Sequence, residues 1–157
     1  MRVGVGYDVH PLREGRALII GGVRIEHATG LDGHSDADVL THAVIDSVLG
    51  AAGLGDIGAH FPPDDARYRS ASSIDLLTEA ARVVATAGYR VVNVDSTVVA
   101  QAPRLGPHLG EMARHIARAL ALDIAAVSVK ATSPEGLGAL GAGEGIAAHA
   151  VALIEET

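Results

Sequence analysis

The 157-residue chain contains no cysteine and no tryptophan. The first absence removes disulfides, thiolate metal ligands and thiol nucleophiles from consideration. Aromatic residues are nearly as scarce, with Tyr7, Phe61, Tyr68 and Tyr89 making up the whole set. A core must therefore be assembled from Val, Ile, Leu and Ala, and a small core of that kind gains from self-association that buries more apolar area. Positive charge is short as well. Twelve Lys and Arg against nineteen Asp and Glu leave a net charge of −7. That balance disfavours nonspecific binding to nucleic acid or an anionic membrane, while leaving room for one local anion site. No apolar run approaches the roughly 20 residues of a membrane span. Asp8 and His10 fall where a signal peptide needs its apolar segment, so the expected location is cytoplasmic.

What is present describes a globular protein: 48% hydrophobic and 20% charged residues, a length that suits one domain, and no linker, charge block or repeat. A single domain over 1–157 is expected. Arg2–His10 alternates as a strand, with Val3, Val5, Tyr7 and Val9 on one face and Gly4, Gly6, Asp8 and His10 on the other. Leu18–Ile20 and Val23–Ile25 flank Gly21-Gly22, the pattern of a hairpin with a two-residue turn. Ser35-Asp36-Ala37-Asp38 matches an acidic capping box opening a helix to about Ala52. Ser72 with Asp75 repeats the signal for a helix that Gly88 closes, and Pro107 suits the first turn of another. Tyr89–Ala100 and Val127–Thr132 are expected strands, Ser133–Gly145, with five glycines, a loop, and Ile146–Ile154 a strand rather than a helix. A hairpin followed by alternating helices and strands indicates an α/β (α+β) sandwich, a mixed sheet with helices on one face.

Five of the eight histidines lie in the first sixty residues. Asp8 and His10, two apart on a strand, point to one face about 6.6 Å apart along it. His42 lies on the next helix, between Asp38 and Asp46 at i, i+4 spacing, so a carboxylate is available to orient its imidazole. Asp8, His10 and His42 could form a three-ligand zinc site with an open fourth position; a solvated strand face and a surface histidine satisfy the same spacing. His34-Ser35 precedes a helix start, which suits either a phosphate or an ordinary cap. Asp56 in Leu54–Gly58 could accept hydroxyl hydrogen bonds, and Phe61–Asp65 could be a turn with an apolar plug. Ala100–Gly106 could meet a base through its backbone and a phosphate through Arg104, or simply connect a strand to a helix. Thr132-Ser133-Pro134-Glu135 sets two hydroxyls and a carboxylate beside a glycine-rich loop, suiting phosphate oxygens and a hard cation or a turn cap. Lys130, the only lysine, is either a phosphate contact or an edge charge.

Taken together, these segments resemble the 2-C-methyl-D-erythritol 2,4-cyclodiphosphate synthase family of the non-mevalonate isoprenoid pathway, in register along essentially the whole chain. The landmarks are Gly6–His10, Gly33–Val39, His42-Ala43, Leu49–Ala52, Leu54–Gly58, Phe61-Pro62, Asn93–Asp95, Ala100–Pro103, Lys130–Thr132 and Gly143–Ile146. The resemblance implies a homotrimer with its sheets around the threefold axis and active sites between subunits. It implies Zn2+ on Asp8, His10 and His42, and substrate phosphates at His34 and Ser35. Asp56, Ile57 and Gly58 would meet the methylerythritol hydroxyls, with Phe61, Pro62, Pro63, Asp64 and Asp65 lining that pocket. A neighbouring subunit would supply Ala100, Gln101, Ala102, Pro103, Arg104, Leu105 and Gly106, with Ala131, Thr132 and Ser133, for cytidine and its diphosphate. Glu135 would hold a second cation, Mg2+ or Mn2+, through the diphosphate. His34 and Ser133 match the family's catalytic, transition-state-stabilising positions.

The implied reaction is intramolecular: the 2-phosphate of 4-diphosphocytidyl-2-C-methyl-D-erythritol 2-phosphate attacks its own β-phosphorus and expels CMP. Such a reaction needs a folded substrate and neutralised charge rather than a protein nucleophile. Five positions depart from the family pattern: Ser133 replaces a threonine but keeps its hydroxyl, Arg104 replaces the commoner lysine and should still bind an anion, and the other three change more. Pro134 replaces a threonine, and Ala139 and Ala142 stand where phenylalanine and arginine are common, so no role is carried over to these two alanines. A metal-dependent phosphohydrolase and a noncatalytic nucleotide- or isoprenoid-binding trimer are the competing readings.

Overall fold

The computed structural model describes all 157 residues. Twelve regular elements follow in order: β1 (Arg2–Glu14), β2 (Leu18–Ile20), β3 (Val23–Ile25), β4 (Thr29–Leu31), α1 (Val39–Ala52), α2 (Ile57–His60), α3 (Ser73–Thr86), β5 (Tyr89–Val99), α4 (Leu109–Ala119), β6 (Val127–Thr132), α5 (Gly138–Gly141) and β7 (Gly145–Glu156). Five strands form one mixed sheet in the order β4-β1-β7-β5-β6. Only β5 and β6 run parallel, joined through α4; the other neighbours are antiparallel. The expected α/β architecture is therefore what the chain adopts. No helix is long and apolar enough to cross a membrane.

The sheet has two unlike faces. Helix α1 lies on β1 and β7, α3 lies beside α1 and α4, and α4 covers β6. The core between them is aliphatic, with Leu40, Val44, Ile45, Val48, Leu77, Ile116, Ile146 and Ile154 fully or almost fully buried. On the opposite face of β1, Val3, Val5, Tyr7 and Val9 are left open, Val5 at 69% exposure. Val151 of β7, paired in register with Val5, extends this apolar surface.

Gly4 and Gly6 let α1 sit directly on β1. A Cβ on Gly6 would fall 1.8 Å from the carbonyl oxygen of Ala43, and one on Gly4 would fall 2.1 Å from that of Ser47. Glycine is used here because the two backbones meet. Farther along the same face the strand carries Asp8 and His10, which reach beyond the start of α1 toward His42.

Two local expectations change. The helix opened by Ser35–Asp38 is capped by Asp38, not by Ser35: Ala37 adopts a left-handed φ of 56°, which breaks any helical run from Ser35, and the Asp38 side chain accepts from Thr41 N. The same buried carboxylate accepts the backbone N–H groups of Gly21 (2.8 Å) and Gly22 (2.6 Å), tying the β2–β3 turn to the head of α1. Those two glycines take positive φ angles of 58° and 71°, as a two-residue turn demands. Within the glycine-rich 133–145 segment, four residues form α5 where a plain loop is expected. The strand chosen for Ile146–Ile154 is present as β7.

Replacing Gly6 by Ala forces α1 off the strand, because the obstacle is backbone. Overpacking of this kind costs about 1–3 kcal/mol, and urea unfolding of Gly6→Ala should show a loss of at least that size; an unchanged midpoint would contradict the direct seating of α1 on β1.

Candidate metal centre and nucleotide cavity

Strand β1 and helix α1 together bring Asp8, His10 and His42 to one point. Asp8 Oδ2 lies 2.8 Å from His10 Nε2 and 3.0 Å from His42 Nδ1, and the two ring nitrogens are 3.1 Å apart. No other group of histidines and carboxylates in the chain converges in this way. The chemistry of the donors fits a cation. His10 Nδ1 is 2.9 Å from the carbonyl oxygen of Asp32, which can only accept, so Nδ1 carries a proton and Nε2 is the nitrogen left to face the centre. This outer hydrogen bond is the usual partner of a metal-bound histidine. Gly33 makes room for the ring, since a Cβ there would come within 2.9 Å of His10 Cε1.

His42 is held from the other side. Its Nε2 lies 3.0 Å from Ser35 Oγ and 2.9 Å from Ser73 Oγ. Neither Asp38 nor Asp46 orients this imidazole, contrary to the i, i+4 spacing. Asp38 is spent on Gly21, Gly22 and Thr41, and Asp46 accepts the N–H of Ile57 at 2.8 Å, where burial pushes its carboxyl up. Helical spacing put both carboxylates near His42, but each had a closer donor off its own helix.

The electrostatics follow from the geometry. Burial opposes the charge on Asp8, yet hydrogen bonds from His10 and His42, with their positive fields, outweigh it and hold the carboxyl well below its usual range. Burial likewise opposes charge on His10, but the Asp8 carboxylate and the Asp32 carbonyl overcome it and raise the imidazole.

A cavity of about 320 Å3 opens beside the triad, lined by His34, Ser35, Ile57, Gly58, Phe61 and Pro63 together with Asp8, His10 and His42. Tyr68 and Leu76 also line it. Sequence spacing gave no sign of Leu76, whereas Tyr68, one of four aromatics, packs edge-on against Phe61 at 5.4 Å between ring centres. Asp56, Pro62, Asp64 and Asp65 do not line this cavity. Asp56 caps α2 by accepting Ala59 N at 2.9 Å, and half-buried Asp65 pairs with exposed Arg67 at 2.6 Å.

A second cavity, of about 360 Å3, is formed by Ala100–Gly106 with Ala131, Thr132, Ser133 and Leu109. It shares no residue with the first. Parallel pairing of β5 and β6 brings the two segments together, and Ala100 N donates to the Thr132 carbonyl at 3.1 Å. Glu135 does not line this cavity; it takes a left-handed φ of 54°, its N–H donating to Ser133 Oγ, while Gln101 accepts from Gly136 N. Lys130 is turned elsewhere and pairs with Asp95 at 2.6 Å, the edge-charge alternative.

Comparison with known proteins follows the same lines. The YgbB family model matches residues 1–155. The 2-C-methyl-D-erythritol 2,4-cyclodiphosphate synthase of Syntrophomonas wolfei subsp. wolfei is 61% identical over 156 residues, covering 99% of each chain. Among solved structures, the bifunctional IspDF from Campylobacter jejuni superposes with a TM-score of 0.95 at 41% identity; the match covers 99% of this chain but 42% of that longer one. A CDP-bound form of 2C-methyl-D-erythritol-2,4-cyclodiphosphate synthase gives a TM-score of 0.90 at 36% identity, over 98% of this chain and 100% of that one.

The shifted groups set a pH dependence for the metal-free protein. The Asp8 contribution to stability is present above the unfolded carboxyl value of 3.8 and is lost only as pH falls through its lowered folded value. That of His10 is fully present below 6.5 and is lost as pH rises through its raised folded value. Chelator-treated protein should therefore lose unfolding free energy on the alkaline side of neutrality, and Asp8→Asn should flatten that slope. Equal slopes in the two proteins, measured by urea unfolding across the range, would contradict the pairing.

Proposed function

The chain belongs to the YgbB family, and from that premise we propose how its two cavities share the family's reaction. The protein is an enzyme of the non-mevalonate isoprenoid pathway, a 2-C-methyl-D-erythritol 2,4-cyclodiphosphate synthase in its activity. It cyclises 4-diphosphocytidyl-2-C-methyl-D-erythritol 2-phosphate and releases CMP. An oxygen of the 2-phosphate forms a bond to the β-phosphorus, and the bond from that phosphorus to the oxygen bridging it to the α-phosphorus breaks. The bridging oxygen leaves with CMP, an eight-membered cyclic diphosphate remains, and no water is consumed.

The observation that carries the site assignment is the convergence of Asp8, His10 and His42 beside a cavity that His34 and Ser35 enter. These three residues are the zinc ligands in this reading, and the carboxylate with two imidazoles is a donor set of the catalytic zinc type. Bound there, zinc supplies positive charge to a phosphate oxygen as a Lewis acid. His34 and Ser35 hold the phosphates, Ile57 and Gly58 present backbone to the methylerythritol hydroxyls, with Asp56 bordering them. Phe61 and Pro63 keep water from that end. Backbone groups of Ala100–Gly106 take the cytosine, Arg104 and Thr132 take the diphosphate, and Ser133 donates to the oxygens around the β-phosphorus.

Glu135 offers a single carboxylate with no acidic partner gathered beside it. That suits Mg2+ or Mn2+, hard cations often held by one or two carboxylates while substrate phosphates complete the shell. The two cavities are separate in one chain, and the apolar face of β1 and β7 lies open. Both features support a homotrimer in which one subunit supplies the metal-centre half of each site and its neighbour the nucleotide half.

Phosphorus NMR of zinc-loaded protein with substrate and Mg2+ tests this reading. Coupled signals of the cyclic diphosphate should grow with CMP in equal amounts; CMP with an open-chain bisphosphate would mean attack by water and overturn it. His34→Ala and Ser133→Ala should each lower turnover by roughly 10²–10³, and mixing the two during refolding should restore part of it through intact sites at mixed interfaces.

A further inference from the structure

The residues behind His42 reach the metal centre from a different element, the start of α3. Ser73 is fully buried there. Its hydroxyl donates to Asp36 Oδ1 in a short hydrogen bond, and its backbone N–H donates to Asp36 Oδ2 at 3.1 Å. A carboxylate oxygen can only accept, so the one hydroxyl proton of Ser73 is committed to Asp36. Toward His42, Ser73 Oγ can then only accept. His42 Nε2, 2.9 Å away, therefore carries a proton, which leaves Nδ1 as the one nitrogen of this ring able to ligate a cation. That nitrogen faces the space between Asp8 and His10.

Ser35 agrees with this polarity. Its Oγ accepts from Ala37 N at 3.3 Å and lies 3.0 Å from His42 Nε2. Its own proton is left for Ser73 Oγ at 3.4 Å or for a ligand in the cavity. The backbone locks the arrangement in place: Ser70 N donates to the His34 carbonyl at 3.0 Å, and Asp36 N to the Ala71 carbonyl at 3.1 Å. Segment 34–36 is thus strapped to segment 70–73, and α3 becomes part of the site although it offers no ligand.

We propose that Ser73 and Asp36 are positioning residues of the metal centre: the Asp36–Ser73–His42 chain holds His42 as its Nε2–H tautomer, with Nδ1 aimed at the ion. The proposal rests on the reading of Asp8, His10 and His42 as metal ligands. Outer hydrogen bonds of this kind fix ring orientation, and their loss typically weakens metal binding by roughly 10–100-fold.

Two measurements on the full-length protein test it, with Ser73→Ala as the first variant and Asp36→Asn as the second. Two-bond proton–nitrogen correlation of histidine-labelled, zinc-loaded protein reads which His42 nitrogen keeps its proton. Competition with a chromogenic chelator reads zinc affinity. The wild type should show the Nε2–H form alone. Ser73→Ala should show mixed tautomers and bind zinc about 10–100-fold more weakly. Asp36→Asn should move both readouts the same way, and it decides the matter if Ser73→Ala fails to keep the native circular dichroism. The proposal is overturned by a wild-type Nδ1–H tautomer, by variants within about twofold of wild type in zinc affinity, or by weakened zinc with an unchanged tautomer. A wild type that takes up no zinc would instead sink the metal reading on which the proposal rests.

Discussion

The seating of α1 on β1 governs the rest of the structure. The helix runs against the strand with Ala43 over Gly6, and Ser47 and Ala51 over Gly4. Four helical residues advance about 6 Å, and two strand residues about 6.6 Å. Each step of four along α1 therefore nearly matches a step of two along β1, in the reverse direction. The same register carries Asp8 to the first turn of α1, Val39–His42, where side chains replace glycine, the backbones can separate and the Asp8 carboxylate meets His42. Three donor atoms from two elements meet within about hydrogen-bond distance because the spacing was set by glycine two residues earlier. A larger residue at Gly6 would move His42 relative to Asp8 and His10.

Buried polar groups then fix what packing alone leaves loose. Asp38 joins the head of α1 to the β2–β3 turn through four accepted hydrogen bonds, all from N–H or O–H groups that burial would otherwise leave without water. Asp36 ties the approach to α1 to the start of α3, and Asp46 ties α1 to α2. Every buried side-chain polar atom has a partner. Three carboxylates within eleven positions thus anchor three different neighbours of the metal centre. They are placed to hold backbone N–H groups still, while Asp8 alone turns its charge to the centre.

Much of this was legible in the residue pattern. The alternation of Arg2–His10, the Gly21-Gly22 turn and the β-branched runs at Tyr89–Val99 and Val127–Thr132 describe local physics, and the elements appear where those signals fall. The pairing of Asp8 with His10 followed from strand periodicity, whereas spacing left His42 open between a shared cluster and a surface histidine, and only the family resemblance placed it with them. The cap of α1 was ambiguous because Ser35, Asp36 and Asp38 are all good cap residues. It was settled by Ala37's left-handed backbone and by N–H donors from a hairpin seventeen residues away, neither of which a local pattern carries. Ser73 was invisible for the same reason. Its signal was that of an ordinary first-turn serine, and its role depends on residues 31 and 37 positions upstream. Four-residue α5 lay hidden among glycines, which depress helix propensity without forbidding a single turn.

A metal centre whose geometry is set by glycine contact and whose rings are fixed by outer hydrogen bonds has one orientation for each ligand. Diffraction at the zinc absorption edge from crystals of zinc-loaded protein reads that orientation without reference to turnover. One anomalous peak per chain is expected, roughly 2.0–2.2 Å from an Asp8 oxygen, His10 Nε2 and His42 Nδ1. Zinc held at a different set of residues, or bonded to His42 through Nε2 with the ring turned away from Ser73, would contradict it.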